Sequence, residues 1–323
     1  MRAFVTGGTG FVGANLVRLL LQQGYKVRAL VRETSRLDNL QGLDVDLVYG
    51  DLNQANLSQQ MQGCQVLFHV AAQYSLWQQD RESLYDHNVL GTRNILHCAR
   101  QAKIERTVYT SSVAAIGVRK DGKPANETDQ SPVTQLVGAY KKSKYYGEQE
   151  AIAAVKAGQD LVIVNPTTPI GALDLKPTPT GEIILRFLQG KMPFYVDTGL
   201  NLIAVEDVAW GHLLALEKGR TGDRYILGHQ NLTFQELLAK LSTITGLPAP
   251  KSSIPYWIPY SVAWLEEKVV AKLGKKPTIA LDGVKMSRQK MFYDASKAVT
   301  ELGLPQSDLN RALTNAVEWF SQF

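Results

Sequence analysis

The stretch Thr6-Gly-Gly-Thr-Gly-Phe-Val-Gly13 follows a short apolar run, residues 3–6, and opens an amphipathic segment, residues 11–23. The run predicts a buried strand, and the segment predicts a helix that Gly24 ends. Glycines between a strand and a helix let the backbone turn tightly and approach a pyrophosphate, which then rests on the helix N-terminus. The sequence therefore predicts a dinucleotide-binding turn, with the contacting residues Gly7, Gly10, Phe11, Val12 and Gly13.

Apolar runs separated by helical segments continue through the first half of the chain. Such strands, spaced by helices, imply right-handed crossovers and a parallel sheet that is covered on both faces. The predicted fold is α/β, a doubly wound parallel sheet of the Rossmann type with a smaller, mostly helical substrate lobe. The further strands are expected at 27–31, 45–49, 66–70, 107–110 and 161–164, and helices at 81–101 and 139–156.

The second half is less regular and contains clusters of proline. Thr233 and Glu236 have the spacing of a capping box, in which each side chain bonds to the backbone of the other. Helices are predicted at 207–217, 233–245, 260–273 and 308–323. We expect a dinucleotide-binding domain at 1–165, with 200–228 returning to it, and a substrate lobe formed by 166–199 and 229–323. The ligand cleft should lie between the two.

The composition excludes several classes of protein. The 323 residues include two cysteines and five histidines, so a disulfide scaffold is excluded and a structural metal is not expected. The net charge of +5 comes largely from 265–290, which has seven basic and three acidic residues against 28 and 27 elsewhere. Because the excess of positive charge is confined to this one segment and the rest of the chain is balanced, the net charge does not indicate nucleic-acid binding. Because there is no run of about 18 apolar residues and no signal-peptide pattern, we expect a cytoplasmic protein.

Basic residues follow the second predicted strand, at the position where dinucleotide-binding proteins distinguish NAD from NADP. NAD-binding proteins usually carry a carboxylate there, which accepts from the ribose 2′-hydroxyl. Here Arg32 stands 19 residues after Gly13, and Arg36 follows. A guanidinium clamps a 2′-phosphate, whereas a carboxylate repels it, so the sequence predicts NADP in preference to NAD. The alternative is that both arginines are ordinary surface residues.

Two more strand ends supply candidate cofactor contacts. Asp51 and Leu52 follow the third strand, where the carboxylate could accept from the adenine amino group and the leucine could pack on the ring. Asp51 is equally consistent with a helix N-cap. Ala71 and Ala72 follow the fourth strand, where small side chains would let a cofactor lie close.

Tyr140 and Lys144 are four residues apart on a predicted helix and therefore share a face. A tyrosine with its ordinary pKa near 10 is a poor acid–base group, and a neighbouring ammonium lowers that pKa. Ser112 ends the fifth strand, at the sheet edge where ligands bind in such folds, and could donate to a substrate oxygen. A chance surface pair is the alternative for Tyr140 and Lys144.

The order and spacing of these motifs resemble an extended short-chain dehydrogenase/reductase of the NAD-dependent epimerase/dehydratase group. The resemblance covers essentially the whole chain. Within the group, the chain is most similar to the dihydroflavonol-4-reductase-like and hopanoid-associated sugar epimerase subgroup. The segments that carry it are Thr6–Gly13, Gly50-Asp51-Leu52, His69-Val-Ala-Ala72, Asn88-Val-Leu-Gly-Thr92, Tyr109-Thr-Ser-Ser112, Tyr140–Lys144, Tyr195–Asn201, Glu206–Ala209 and Tyr225–Gly228.

The resemblance implies roles for individual residues. Tyr140 would be the general acid/base, Lys144 would bind the nicotinamide ribose, and Ser112 aligns with the catalytic serine. Asn88 would fix backbone or a water beneath the site. Pro166 and Thr168 would lie alongside the nicotinamide ring. Members of the group are often dimers, which makes a homodimer an expectation for this chain.

Three functions are consistent with the sequence. The first is an NADP(H)-dependent oxidoreductase that transfers a hydride between nicotinamide and a carbonyl or hydroxyl of a small organic, sugar-like or lipid-linked substrate. The second is a sugar-nucleotide epimerase with retained NAD, and the third is a non-catalytic NADP-sensing protein. Arg32 departs from the NAD-retaining epimerases and favours the first, and a sensor has no use for the proton donor Tyr140.

The substrate side is less defined. Candidates for the pocket are Tyr74, Ser112, Phe194 and Phe292, and core packing is an equal alternative for each aromatic ring. Asn165 before Pro166 resembles a diphosphate-binding pair but is equally consistent with a turn. Tryptophans and lysines in 256–276 could contact a membrane surface, although a packed helix of the substrate lobe is favoured.

Overall fold

The computed structural model describes residues 1–269 and 280–323. The strands in these residues are β1 (Arg2–Thr6), β2 (Lys26–Val31), β3 (Val45–Tyr49), β4 (Val66–His69), β5 (Arg106–Thr110), β6 (Leu161–Pro166), β7 (Thr168–Ile170), β8 (Gly199–Ala204), β9 (Arg224–Leu227), β10 (Gln230–Thr233) and β11 (Lys290–Met291). Seven of them form one parallel sheet in the order β3-β2-β1-β4-β5-β6-β9, and the other four form a second, smaller sheet around β8.

Helices cover both faces of the large sheet, as the α/β doubly wound prediction requires. The helices are α1 (Phe11–Gln22), α2 (Leu57–Gln60), α3 (Arg81–Tyr85), α4 (Gly91–Gln101), α5 (Gly138–Lys156), α6 (Pro179–Leu188), α7 (Val205–Lys218), α8 (Phe234–Thr245), α9 (Trp257–Val269), α10 (Leu281–Met286) and α11 (Leu309–Phe320). The predicted fold class is confirmed.

Successive residues of one strand enter different cores. Val5 packs with Leu16 and Leu213 of α1 and α7, whereas Phe4 packs with Ile95 of α4 and Ala151 of α5. Side chains alternate across a strand, so a strand buried on both faces needs an apolar residue at every position. This requirement explains why the interior strands β4 and β6 and the centre of β1 are nearly all apolar and do not alternate.

The second sheet lies in the C-terminal half and was not predicted strand by strand. β8 pairs antiparallel with β10 and parallel with β7 and β11. α6, α8 and α11 pack on it. α6 falls in a proline-rich stretch in which no helix was predicted, yet Thr178 caps it and Pro179 occupies its first turn. Proline suits that position because its missing N–H would have no partner there.

Two predicted helices differ from the structure. The predicted helix at 81–101 is interrupted between α3 and α4 by a π-helical segment, Asp86–Leu90, which carries Asn88. The predicted helix at 260–273 begins earlier, at Trp257, and is described to Val269, so the rest of that prediction lies outside the described residues. The capping box of Thr233 and Glu236 is confirmed at the start of α8.

The returning segment 200–228 divides between the sheets. Its residues before Val205 belong to β8 in the small sheet, while α7 and β9 join the layers of the large one. From the later part of the chain, Leu302 and Leu304 also pack into the core between α1 and the large sheet. The domain boundaries stay a prediction. Within the described ranges, every helix is too short or too polar to cross a bilayer.

Candidate active site

The glycine turn between β1 and α1 is shaped by contacts that exclude side chains. Gly7 has φ +73°, and a Cβ on it would lie 2.6 Å from the backbone nitrogen of Ala71. A Cβ on Gly13 would lie 2.1 Å from the carbonyl oxygen of Gly7. Gly10 donates its N–H to that same oxygen at 3.0 Å and provides no side-chain cap for α1. The turn therefore holds the uncapped N-terminus of α1 close to the ends of β1 and β4, and a helix N-terminus of this kind can bind a phosphate.

We expect Gly13→Ala to destabilise the fold by about 1–3 kcal/mol, because its methyl group would meet a backbone oxygen that cannot move without displacing the turn. Gly10→Ala is the matched control, since its Cβ would lie 3.3 Å from the Gly7 oxygen. Urea unfolding of both variants measures the difference. Equal midpoints for the two variants would show that Gly13 is not held by this contact.

The two predicted phosphate-binding arginines have different surroundings. Arg36 is exposed and makes two hydrogen bonds to the carboxylate of Asp38, at 3.0 and 3.2 Å. In the described part of the chain, no ion pair engages the guanidinium of Arg32, whose backbone N–H donates to the Ser35 hydroxyl. Arg32 is therefore the better placed of the two to receive a phosphate.

The adenine-side candidates follow β3. One carboxylate oxygen of Asp51 accepts from the N–H of Asn53 at 3.1 Å, so the residue stabilises a turn and leaves its second oxygen for a ligand. This turn lies before α2, so Asp51 is not the N-cap of that helix. Leu52 is buried against Gly91.

The backbone at the end of β4 is held by a buried chain of polar groups. The N–H of Ala71 donates to the Thr6 hydroxyl, which lies 2.7 Å from Nδ1 of His69, and Nε2 of His69 lies 3.1 Å from the hydroxyl of Thr92. Burial and the charge of Lys144 lower the pKa of His69 to about 3, so the ring is neutral. Ala71 is half-buried and Ala72 is exposed.

Tyr140 and Lys144 both lie on α5, facing the end of β5. The buried ammonium of Lys144 donates to the carbonyl of Thr110 at 2.9 Å. Burial lowers the pKa of Lys144 to about 8, against an opposing effect of Glu148. Burial also raises the pKa of Tyr140 to about 12, although a hydrogen bond with the Ser112 hydroxyl lowers it. This direction is opposite to the lowering expected from the sequence, because desolvation of the phenolate dominates.

Asn88 links the loop after β4 to the helix of Tyr140. Its amide exchanges two hydrogen bonds with the backbone of Gln73, at 2.8 and 2.9 Å, and donates to the hydroxyl of Ser143. Ser143 in turn donates to the carbonyl of Tyr140 at 2.8 Å. Asn88 thus fixes backbone, as the resemblance implies, and places the neighbouring Tyr74 ring 4.4 Å from the ring of Tyr140.

A buried network behind Ser112 was missed in the sequence. Glu148, whose side chain is 2% exposed, forms an ion pair with Arg224 of β9 at 3.1 Å. Its other oxygen accepts from the amide of Asn165 at 2.8 Å, and that amide also donates to the carbonyl of Ser112. Asn165 is fully buried and so holds protein groups, not a diphosphate. The available signal was spacing, since Glu148 follows Lys144 by one helical turn.

The four residues predicted to contact the substrate do not all lie at one site. Tyr74 and Ser112 both contact Tyr140. Phe292 packs near Gly199 of the small sheet instead, and Phe194 is exposed. Pro166 ends β6 and Thr168 begins β7, at the carboxyl edge of the large sheet.

Two features define the class of protein. A glycine turn follows the first strand of a parallel sheet, and a tyrosine and a lysine lie one helical turn apart near the end of β5. Together they are typical of a dinucleotide-dependent enzyme of the extended short-chain dehydrogenase/reductase class. The chain belongs to the NAD dependent epimerase/dehydratase family, whose model matches residues 3–228. It is therefore an NAD(P)-dependent oxidoreductase or a related epimerase.

Individual relatives extend the likeness over nearly the whole chain. A putative dihydroflavonol 4-reductase of Synechocystis is 69% identical over 98% of this chain and 94% of its own. Sterol demethylase protein B of Methylococcus capsulatus is 34% identical over 100% of this chain and 99% of its own. The crystal structure of gox2253 is 42% identical, with a TM-score of 0.88 over 99% of this chain and 98% of that one.

Proposed function

We propose that the protein is an NADP(H)-dependent oxidoreductase that transfers a hydride between nicotinamide and a carbonyl or hydroxyl group of its substrate, with Tyr140 as acid/base. The observation that carries the proposal is the position of Tyr140, one helical turn from the buried ammonium of Lys144 and near the Ser112 hydroxyl, which lowers the pKa of the phenol. A protonated phenol beside a hydroxyl donor is the arrangement that carbonyl reduction needs. The cytoplasm remains the compartment we propose for it.

The chain's residues fit a dinucleotide. The turn would hold the pyrophosphate on the open N–H groups of α1, where Gly7 and Gly13 leave no room for side chains. Lys144 would reach the nicotinamide ribose and Arg32 the 2′-phosphate. When bound, NADPH supplies the hydride.

The proton chemistry belongs to three side chains. Ser112 donates a hydrogen bond to the carbonyl oxygen of the substrate and orients it toward Tyr140. Because the pKa of Tyr140 is raised to about 12, the phenol is protonated at neutral pH and donates its proton to the developing alkoxide. Lys144, with a pKa of about 8, remains largely an ammonium at neutral pH and stabilises the phenolate that is left.

The substrate we propose is apolar, lipid-like and carries a carbonyl or hydroxyl group. The half-exposed ring of Tyr74 lies beside Tyr140, with the two ring planes at 58°, and would give the reacting group an apolar wall. A relative that covers this whole chain is named for sterol demethylation, which is chemistry on a polycyclic lipid.

The proposal is tested by following NADPH oxidation with a panel of polycyclic and prenylated ketones, beside sugar nucleotides. Ketone-dependent oxidation supports the reductase. Protein that purifies with stoichiometric NAD, interconverts sugar nucleotides and oxidises no NADPH would instead establish the epimerase. Binding of NADPH without turnover of any substrate would favour a cofactor sensor.

The choice of cofactor has its own prediction. We expect Arg32→Ala to raise the dissociation constant for NADPH by about 10- to 100-fold, since charge-assisted hydrogen bonds contribute about 1.5–3 kcal/mol, and to leave that for NADH unchanged. Titration calorimetry measures both. Arg36→Ala is the matched control, and a smaller effect is expected because Asp38 already engages that guanidinium. If Arg32→Ala loses the same affinity for NADPH and for NADH, Arg32 does not bind the 2′-phosphate.

A further inference from the structure

In the described part of the chain, one face of α9 packs against α10, and large apolar side chains elsewhere on the helix are exposed. Tyr256 and Tyr260 pack with Ala263 against Leu281 and Val284 of α10. These contacts bury the side of the helix that carries residues 260, 263 and 267. Among the residues that the structure describes, α9 therefore packs along one side, as the sequence favoured for a helix of the substrate half.

The opposite side of α9 exposes large apolar side chains. Trp257 is 66% exposed, Trp264 47% and Leu265 58%. Residues seven and eight apart return to one side of a helix, so these three form a continuous stripe, which we call the tryptophan face. Single exposed apolar residues are ordinary, but a contiguous group with two tryptophans indicates a surface that has an occupant.

The charges beside the tryptophan face are positive. Lys268 lies on the same stripe, with its Nζ 5.7 Å from the centre of the Trp264 ring. Arg288 is exposed as well, and its guanidinium lies 5.9 Å from the ring of Tyr256, at the edge of the packed side of the helix. The two carboxylates of the helix, Glu266 and Glu267, are partly buried rather than exposed. A negatively charged surface complements this edge of the molecule.

We propose that the tryptophan face docks on the surface of an anionic phospholipid bilayer, with α9 lying in the plane of the interface. Tryptophan and leucine would enter the headgroup boundary, where an indole keeps its polar N–H near water, and the basic side chains would meet lipid phosphates. The charge complementarity favours this occupant over a second copy of the chain, whose own tryptophan face would bring like charges together. The inference does not depend on the proposed reaction.

Co-sedimentation of the full chain with vesicles tests the inference. We expect binding to vesicles of phosphatidylcholine with phosphatidylglycerol at low salt and much weaker binding to phosphatidylcholine alone. Trp257→Ser with Trp264→Ser should lower the partition coefficient by about tenfold or more, since each indole buries a large apolar area. Lys268→Gln should lower binding to anionic vesicles by about fivefold, the effect of one basic residue near the surface.

Phe323→Ser is the matched control, because Phe323 is 58% exposed and lies outside α9. It should bind vesicles like the wild type, and circular dichroism shows whether each variant is folded. In the wild type, tryptophan emission should shift to the blue on addition of anionic vesicles, a readout that needs no variant. Absence of both sedimentation and the shift would overturn the inference. A second result would also overturn it. If the wild type forms a dimer in sedimentation velocity and does not bind vesicles, and the tryptophan variant is a monomer, the face belongs to a second copy of the chain.

Discussion

We expect Tyr140→Phe to lower kcat for carbonyl reduction by about 100- to 10,000-fold, the usual contribution of a positioned general acid. The substitution keeps the ring that packs beside Tyr74 and removes the hydroxyl whose pKa the neighbouring Ser112 lowers. Because the phenol is the proton donor and not part of the glycine turn, the dissociation constant for NADPH should stay within about twofold of the wild type.

Stopped-flow oxidation of NADPH measures the chemical step, and quenching of protein fluorescence measures cofactor binding. Tyr74→Phe is the matched control, because its ring lies 4.4 Å from the ring of Tyr140 and it loses the same group. We expect it to retain most of the activity. Undiminished turnover in Tyr140→Phe would remove this residue from the reaction, and equal losses in both variants would indicate a packing role for the pair.

The fold was predictable because its signals are local. The strand at Arg2–Thr6 has an apolar centre, residues 3–5, and it is followed at once by a glycine turn and an amphipathic helix. Each of these patterns depends on neighbours within a few residues, so the sequence contains them directly. The small sheet was missed because β7, β10 and β11 have four residues or fewer and are only partly buried, which leaves no apolar run to read.

The site was predictable as far as single positions allow. Tyr140, Lys144 and Ser112 follow from motif spacing, but their pKa values depend on burial, which only the packed structure shows. The partner of Glu148 was not predictable, because Arg224 lies 76 residues away on a strand that was not predicted. Long-range ion pairs leave no periodic signal in a sequence.

The buried network gives the second large prediction, for Glu148→Gln. The amide oxygen of glutamine can still accept from Asn165, but the guanidinium of Arg224 loses its only carboxylate among the described ion pairs. It keeps one hydrogen bond to the carbonyl of Glu127. Because removal of one partner leaves the other charge uncompensated, we expect the free energy of unfolding to fall by about 3 kcal/mol, measured by urea denaturation.

The same substitution should change the pH dependence of reduction. The pKa of Lys144 is lowered to about 8 by burial, and the charge of Glu148 raises it. Reduction requires the ammonium, so the rate should fall as the pH rises through about 8 in the wild type. Without the carboxylate the pKa of Lys144 falls further, and the alkaline limb of the kcat profile should move to lower pH.

Glu150→Gln separates this effect from a general loss of charge on α5. Glu150 lies two residues further along the helix and forms its ion pair with Arg93, which is largely exposed. Such a pair contributes about 0–1 kcal/mol, so this variant should keep both the stability and the alkaline limb of the wild type. If Glu148→Gln unfolds more easily but keeps its alkaline limb, Glu148 supports β9 and α5 without influencing Lys144. A limb that moves only in Glu148→Gln identifies it as the residue that keeps Lys144 charged, and so ready to stabilise the phenolate of Tyr140, at the pH of the reaction.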